Sequence, residues 1–313
     1  MSSSSALTEV PPPPVARTGG ARRVVRQLLR DPVATGAAVV ILVFLAAAVF
    51  ADQITALTGQ DPYTYHQELL NAKGVPIGFG GGISAEHWFG VEPLTGRDLF
   101  AIVVHGARTS LFVGLSATIV ATIIGTVVGL VTGFFGGWVD RLGSRVVDVM
   151  FGFPVLVFLI ALMAIIPTSL PRPPFMVLVI GVFGWPGISR LVRGQVMSLR
   201  ERPFVVASTA MGARGGHVMF RQILPNALAT IVVVTTIVIP SMIATEAALS
   251  FLGVGVPPPT PSWGRTLGDA IAWIRTSPMY LVFPGAALFL ITLAFNLFGD
   301  GLRDALDPRT VKR

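Results

Sequence analysis

Apolar runs of about twenty residues recur along this chain, separated by polar intervals, and a run of that length is what a helix needs to cross a bilayer. Six qualify, at roughly 33–50, 109–134, 146–166, 175–192, 228–252 and 279–299. Gly184, Pro186 and Gly187 interrupt the fourth. Pro240 lies midway along the fifth and predicts a kink there. The polar intervals are unequal. Residues 51–108 carry six acids among many Gly and Pro, and are expected to form a small external cap. The stretch from Arg200 to Asn226 is too polar to cross, with Arg200, Arg202, Arg214 and Arg221 against a single acid, Glu201.

Composition agrees with the pattern. Hydrophobic residues make up 52% and charged residues 12% of the 313, with a mean hydropathy of +0.73. A soluble domain carries about a quarter charged residues. The net charge of +7 could suggest nucleic acid, but in a membrane protein it is better explained by the Lys and Arg that fix topology. With the N-terminus inside, the cytoplasmic pieces 1–32, 135–145, 190–227 and 300–313 hold 17 of the 23 basic residues. The prediction is an all-α polytopic membrane protein with six transmembrane helices and both termini cytoplasmic. Residues 1–20, rich in Ser, Pro and Gly, read as a disordered tail.

Several chemistries are excluded. There are no cysteines, so disulfides, thiol catalysis and zinc–thiolate sites are absent. His66, His87, His105 and His217 are scattered without metal-ligand spacing. Neither a nucleophile elbow nor a phosphate-cradling GxxxxGK[ST] loop occurs. Gly253-Val254-Gly255 and Gly80-Gly81-Gly82 are not placed between a strand and a helix, and read as loops. The chain is therefore not expected to hydrolyse ATP or to hold a cofactor or metal. Asp148, Glu246 and Asp300 all fall near predicted span ends, which argues against a stand-alone proton-coupled carrier.

Small residues recur every fourth position along the second span, at Ala117, Ala121, Gly125, Gly129 and Gly133. That spacing puts them on one helix face, where another helix can approach closely. In the polar loop, Pro203 suits a helix start and Gly212 a helix end. A helix that short is marginal alone. Phe204, Val205 and Met211 need a surface, and the residues leave two open: lipid headgroups, or a groove on a cytoplasmic protein.

The loop resembles the cytoplasmic coupling loop of ABC importer permeases, whose pattern is Glu-Ala-Ala, three residues, Gly, and later Ile-Leu-Pro. Val206-Ala207-Ser208, Gly212 and Ile223-Leu224-Pro225 occupy those positions, with Val206 in place of the acid. From about residue 22 to 309 the chain is similar to the dipeptide/oligopeptide branch. The matching segments are Gly96-Arg97-Asp98, GARTSL (106–111), GFFGGWVDR (133–141), RLVRGQVMSLRER (190–202), ALSFLGVGVPPPTPSWG (248–264) and FNLFGDGLRDALDP (295–308).

The resemblance implies a type I ABC importer permease fold in a bacterial plasma membrane, and a division of the chain into five parts. A cytoplasmic tail occupies 1–21, a basic lead-in and first transmembrane helix 22–52, and an extracytoplasmic segment 53–104. A core permease domain at 105–300 carries the coupling loop at 193–227, and a cytoplasmic tail occupies 301–313. It implies a second homologous permease subunit as partner in a heterodimer, two cytoplasmic ATP-binding subunits that carry ATP and Mg, an extracytoplasmic substrate-binding protein, and membrane lipid. It also implies ATPase coupling through Phe204, Val205, Val206, Ala207, Ser208, Met211, Gly212, Ala213, Leu224 and Pro225. The cargo implied is a di- or oligopeptide, with nickel chelates, glutathione or haem as alternatives. Glu246, Pro258 and Trp263 are candidates for an outer gate or a binding-protein contact, with helix packing the other reading of Glu246 and a membrane-interface position expected for Trp263. The segment FNLFGDGLRDALDP is expected to turn and start a short helix.

Overall fold

The computed structural model describes residues 21–167 and 170–306. The expected disordered tail and the last seven residues lie outside them. Among the described residues the ordered elements are helical, with two isolated β-bridges, Leu70–Pro76 and Val91–Asp98, in the cap.

A basic helix α1 (Ala21–Leu28) leads into α2 (Pro32–Val49), the first apolar helix. Asp31 caps α2: its Oδ1 accepts from the amides of Val33 and Ala34, and Pro32 opens the first turn. A short α3 (Ala51–Ala56) then enters the cap. The second apolar helix, α4, runs from Leu99 to Phe135 and starts ten residues before the expected span. Asp98 is its N-cap, accepting from Ala101 N at 2.7 Å. Its 37 residues rise about 55 Å, well beyond a hydrocarbon core of about 30 Å.

The third stretch departs most from expectation. It is two helices, α5 (Gly137–Gly152) and α6 (Val155–Ile165), bent by 80° at Phe153-Pro154. A residue before proline is driven out of the α region, and Phe153 sits at φ −89°, ψ 141°. The fourth stretch shows the opposite. α7 (Arg172–Arg200) is one continuous helix through Pro186, despite the interruptions in its sequence. A short α8 (Pro203–Ala210) follows, then one turn, α9 (Gly215–His217). α9 passes through a wider π-helical turn at Val218–Ile223 straight into α10 (Leu224–Phe251). The second helical piece of the polar loop is thus the foot of the fifth span. α11 (Trp263–Ala270) and α12 (Met279–Leu306) complete the chain. α12 continues through Gly299-Asp300-Gly301, so the expected turn there is absent.

α4 packed along α7 forms the spine. A Cβ at Gly125 would sit 2.8 Å from Ile188 Cβ, at Gly129 2.7 Å from Ser189 O, and at Gly133 2.9 Å from Arg193 O. Only glycine lets the two backbones come that close. Ala117 and Ala121 continue the face, both fully buried. α7 answers with Gly181, whose Cβ would lie 3.0 Å from Ala117 O. One apolar core fills the space between α4, α6, α7 and α10, around Met163, Met176 and Ile223. A second joins α2, α11 and α12 to the start of α4, around Trp263, Leu99 and Ile291.

Candidate functional site

The polar loop becomes a defined surface at one end of the α4–α7 spine. α8 starts at Pro203 behind an extended Arg202 and closes in a Schellman turn. Gly212 N donates to Thr209 O at 3.0 Å, and Ala213 N to Ser208 O at 3.1 Å. Gly212 adopts φ +85°, a left-handed conformation that glycine takes without penalty.

The two faces of α8 differ. Val205 and Ser208 are buried against the foot of α10, where Gln222 Nε2 donates to Ser208 Oγ at 2.6 Å. Phe204, Val206 and Met211 are 46%, 55% and 82% exposed, and Ala207 is exposed beside them. Ala213 and Leu224 are half-buried and Pro225 is exposed. An open groove of about 550 Å³ runs between Phe134, Arg200, Val206, Ala210 and Val218. All five charged residues of the stretch, Arg200, Glu201, Arg202, Arg214 and Arg221, are exposed.

Beside this surface, two arginines of α7 tie the spine helix to its neighbours. Arg193 forks onto Asp140 of α5, Nε to Oδ1 and NH2 to Oδ2 at 2.7 Å. Arg200 NH1 donates to Phe134 O, at the end of α4, at 2.9 Å. Asp140 follows the paired positive-φ glycines Gly136 and Gly137 that turn the chain from α4 into α5. Sequence gave each arginine only as a cytoplasmic charge, because pairing across 53 and 66 residues has no local periodicity.

At the other end, the three gate candidates are not brought together on a surface. Glu246 is fully buried, its Oε1 accepting from Ser250 Oγ at 2.8 Å and Ser262 Oγ at 3.0 Å. Trp263 is fully buried too, with Nε1 donating to Val103 O at 2.8 Å. The expected interface position of Trp263 is therefore corrected: it anchors the loop after α10 inside the helix bundle. Gly106 of α4 makes room for it, since a Cβ there would lie 2.9 Å from the indole Cδ1. Pro258 alone of the three is exposed. Beside it, Arg97 makes a bidentate pair with Glu92, at 2.6 and 3.0 Å, and donates to Pro259 O at 3.0 Å. Tyr280 of α12 donates to the same carboxylate at 2.6 Å.

Among the described residues five helices are long and apolar enough to cross a membrane, and a sixth span results if the bent α5–α6 pair counts as one. Among the described residues no three His, Asp or Glu cluster so as to hold a metal.

Comparison with known proteins now meets this geometry. Residues 125–312 match the family described as "Binding-protein-dependent transport system inner membrane component". Residues 21–73 match "N-terminal TM domain of oligopeptide transport permease C". The chain is 40% identical over 284 residues to the dipeptide transport system permease protein DppC of Alkalihalophilus pseudofirmus, covering 91% of this chain and 88% of that one. It is 39% identical over 284 residues to the glutathione transport system permease protein GsiD of Escherichia coli, covering 91% and 89%. A structure of the MetNI methionine ABC transporter in inward-facing conformations aligns with TM-score 0.53 at 22% identity, over 67% of this chain and 98% of that one, which supports the fold. These matches place the chain in a bacterial inner membrane as a multi-pass protein. The chain belongs to the family of binding-protein-dependent transport system inner membrane components, the permeases of ABC importers.

Proposed function

We propose that this permease carries short peptides into the cell. The motion would be driven by ATP hydrolysis on two cytoplasmic ATP-binding subunits that dock on α8. The observation that carries the coupling reading is the exposed Phe204–Val206–Ala207–Met211 face on a helix that opens at Pro203 and closes in the Gly212 turn. Such a face fits the helix-in-groove mode of recognition. With Val206 in place of an acid, docking rests on apolar contact and shape. Arg193 and Arg200 would carry a push on α8 into α5 and α4. The family's ABC importers work with ATPase subunits and a substrate-binding protein. A second, homologous permease would complete a heterodimer, and ATP and Mg would be held by the ATPases. Alternation between two packed arrangements then follows from rigid-body motion of the helices.

Peptide cargo is supported by relatives of both dipeptide and glutathione type at nearly equal identity, glutathione being itself a small peptide. The test is reconstitution in proteoliposomes with ATPase, binding-protein and second-permease subunits. ATP-dependent accumulation of a labelled dipeptide or glutathione is expected, and accumulation of nickel chelates or haem instead would replace the cargo. Active transport recovered without any ATPase subunit would overturn the mechanism.

A further inference from the structure

The elbow between α5 and α6 opens the backbone within the third apolar stretch, 146–166. α6 has 11 residues, a rise of about 16 Å, roughly half of a hydrocarbon core of about 30 Å. It cannot cross alone. The bend leaves the last carbonyls of α5 and the first amides of α6 without helical partners, and no side chain caps α6. Phe151, Phe153, Leu156 and Val157 around the bend are exposed, so the described residues do not cover it. Beside the elbow, Arg190 NH2 of α7 donates to Asp148 Oδ1 at 3.0 Å, with both side chains more than half exposed. The same guanidinium lies 4.7 Å over the ring of Phe151. Lipid tails supply neither hydrogen bonds nor charge stabilisation, so open backbone at membrane depth occurs only against protein or water. A dry protein cover would satisfy the backbone but would desolvate the ion pair at a cost of several kcal/mol per ion. Water satisfies both. The contrast is α2, whose exposed residues Val39, Leu42 and Val43 ask for nothing but lipid.

We propose that the α5–α6 elbow and the facing side of α7 line the water-filled passage for cargo, with Arg190 and Asp148 offering one cation and one anion to a zwitterionic short peptide. The proposal rests on the permease function proposed above, and adds the residues that the cargo meets.

The chain has no cysteine, so single ones can report on it. In the complete transporter in membrane vesicles, Phe153→Cys and Val157→Cys are treated with a cationic, membrane-impermeant thiosulfonate, with Leu42→Cys as the comparison. Both are expected to label at least about ten-fold faster than Leu42→Cys, because the reactive thiolate forms in water and not in lipid. A dipeptide should slow labelling of Phe153→Cys several-fold, and Arg190→Gln should remove that protection. Labelling of both positions as slow as at Leu42 overturns the passage, and two positions guard against one variant failing to assemble. Protection that survives Arg190→Gln overturns the role of the ion pair. Labelling needs no transport. A transporter that labels at Phe153 yet rejects peptides therefore removes the peptide reading and leaves the passage standing.

Discussion

Gly212 shows how one residue can separate docking from transport. Its φ of +85° closes α8, yet a Cβ there would meet nothing within 4 Å. Any cost of replacing it is therefore conformational rather than steric. Left-handed backbone costs an ordinary residue about 1–2 kcal/mol and a β-branched one more. Gly212→Val is expected to disorder the Schellman turn and tilt the exposed face of α8, lowering peptide uptake about ten-fold, the equivalent of about 1.4 kcal/mol. ATP hydrolysis and membrane insertion should persist. Gly212→Asn, which tolerates the same φ, should retain most uptake. Parallel uptake and ATPase assays on the reconstituted transporter check this, and full uptake by the Val variant would count against α8 as the coupling element. The turn was legible in sequence because Pro203 and Gly212 bracket eight residues with the chemistry a short helix needs at its two ends. The inward turn of Val205 and Ser208 was not, because it depends on the foot of α10 lying beneath them.

At the scale of elements, the α4–α7 seam and the α5–α6 elbow show which sequence patterns carry through to structure. A spacing of four in small residues is a property of one helix, and it survives folding: Gly125, Gly129 and Gly133 meet the backbone of α7 directly. A leucine at Gly129 would be driven into Ser189 O and Val192 Cβ, neither of which can retreat without moving α7. Gly129→Leu is expected to destabilise by about 3 kcal/mol or more, at or above the top of the usual range for overpacking. Gly194→Leu, on α7 where a Cβ meets nothing within 4 Å, should be tolerated. Native-gel assembly and thermal unfolding of the two variants make the comparison, and normal assembly of Gly129→Leu would contradict it. Proline is the less readable signal. Pro186, Pro240 and Pro284 lie inside continuous helices, while Pro154 marks a break. The first three are buried and Pro154 is exposed. Neighbouring helices can compensate the hydrogen bond a buried proline removes. Nothing local to the sequence says which prolines have such neighbours, so α7 read as interrupted and the α5–α6 stretch as unbroken.

At the scale of the whole molecule, the cap is joined to the helices by a charged clasp. Glu92 and Arg97 come from the cap, Tyr280 from α12 and the carbonyl of Pro259 from the loop after α10. The side chains of Glu92 and Arg97 are 7% and 12% exposed, so the pair is held largely out of water. Removing one partner strands the other. Glu92→Ala is therefore expected to cost about 3–5 kcal/mol, the range for breaking a buried pair. Tyr280→Phe leaves the Glu92–Arg97 fork intact and should cost about 1 kcal/mol, one hydrogen bond. Asp269→Ala, which breaks the more exposed Arg265–Asp269 pair on the same side of the molecule, should fall within about 1 kcal/mol of the parent. Thermal unfolding of the purified transporter, with limited proteolysis of residues 57–98, reads all three. If Glu92→Ala melts no lower than Asp269→Ala, the cap is held by its apolar contacts instead, chiefly the stacking of Phe89 on Phe283 at 3.9 Å. Phe283→Ala would then be the variant that releases it. The order of the two losses decides whether charge or apolar contact fixes the cap over α12.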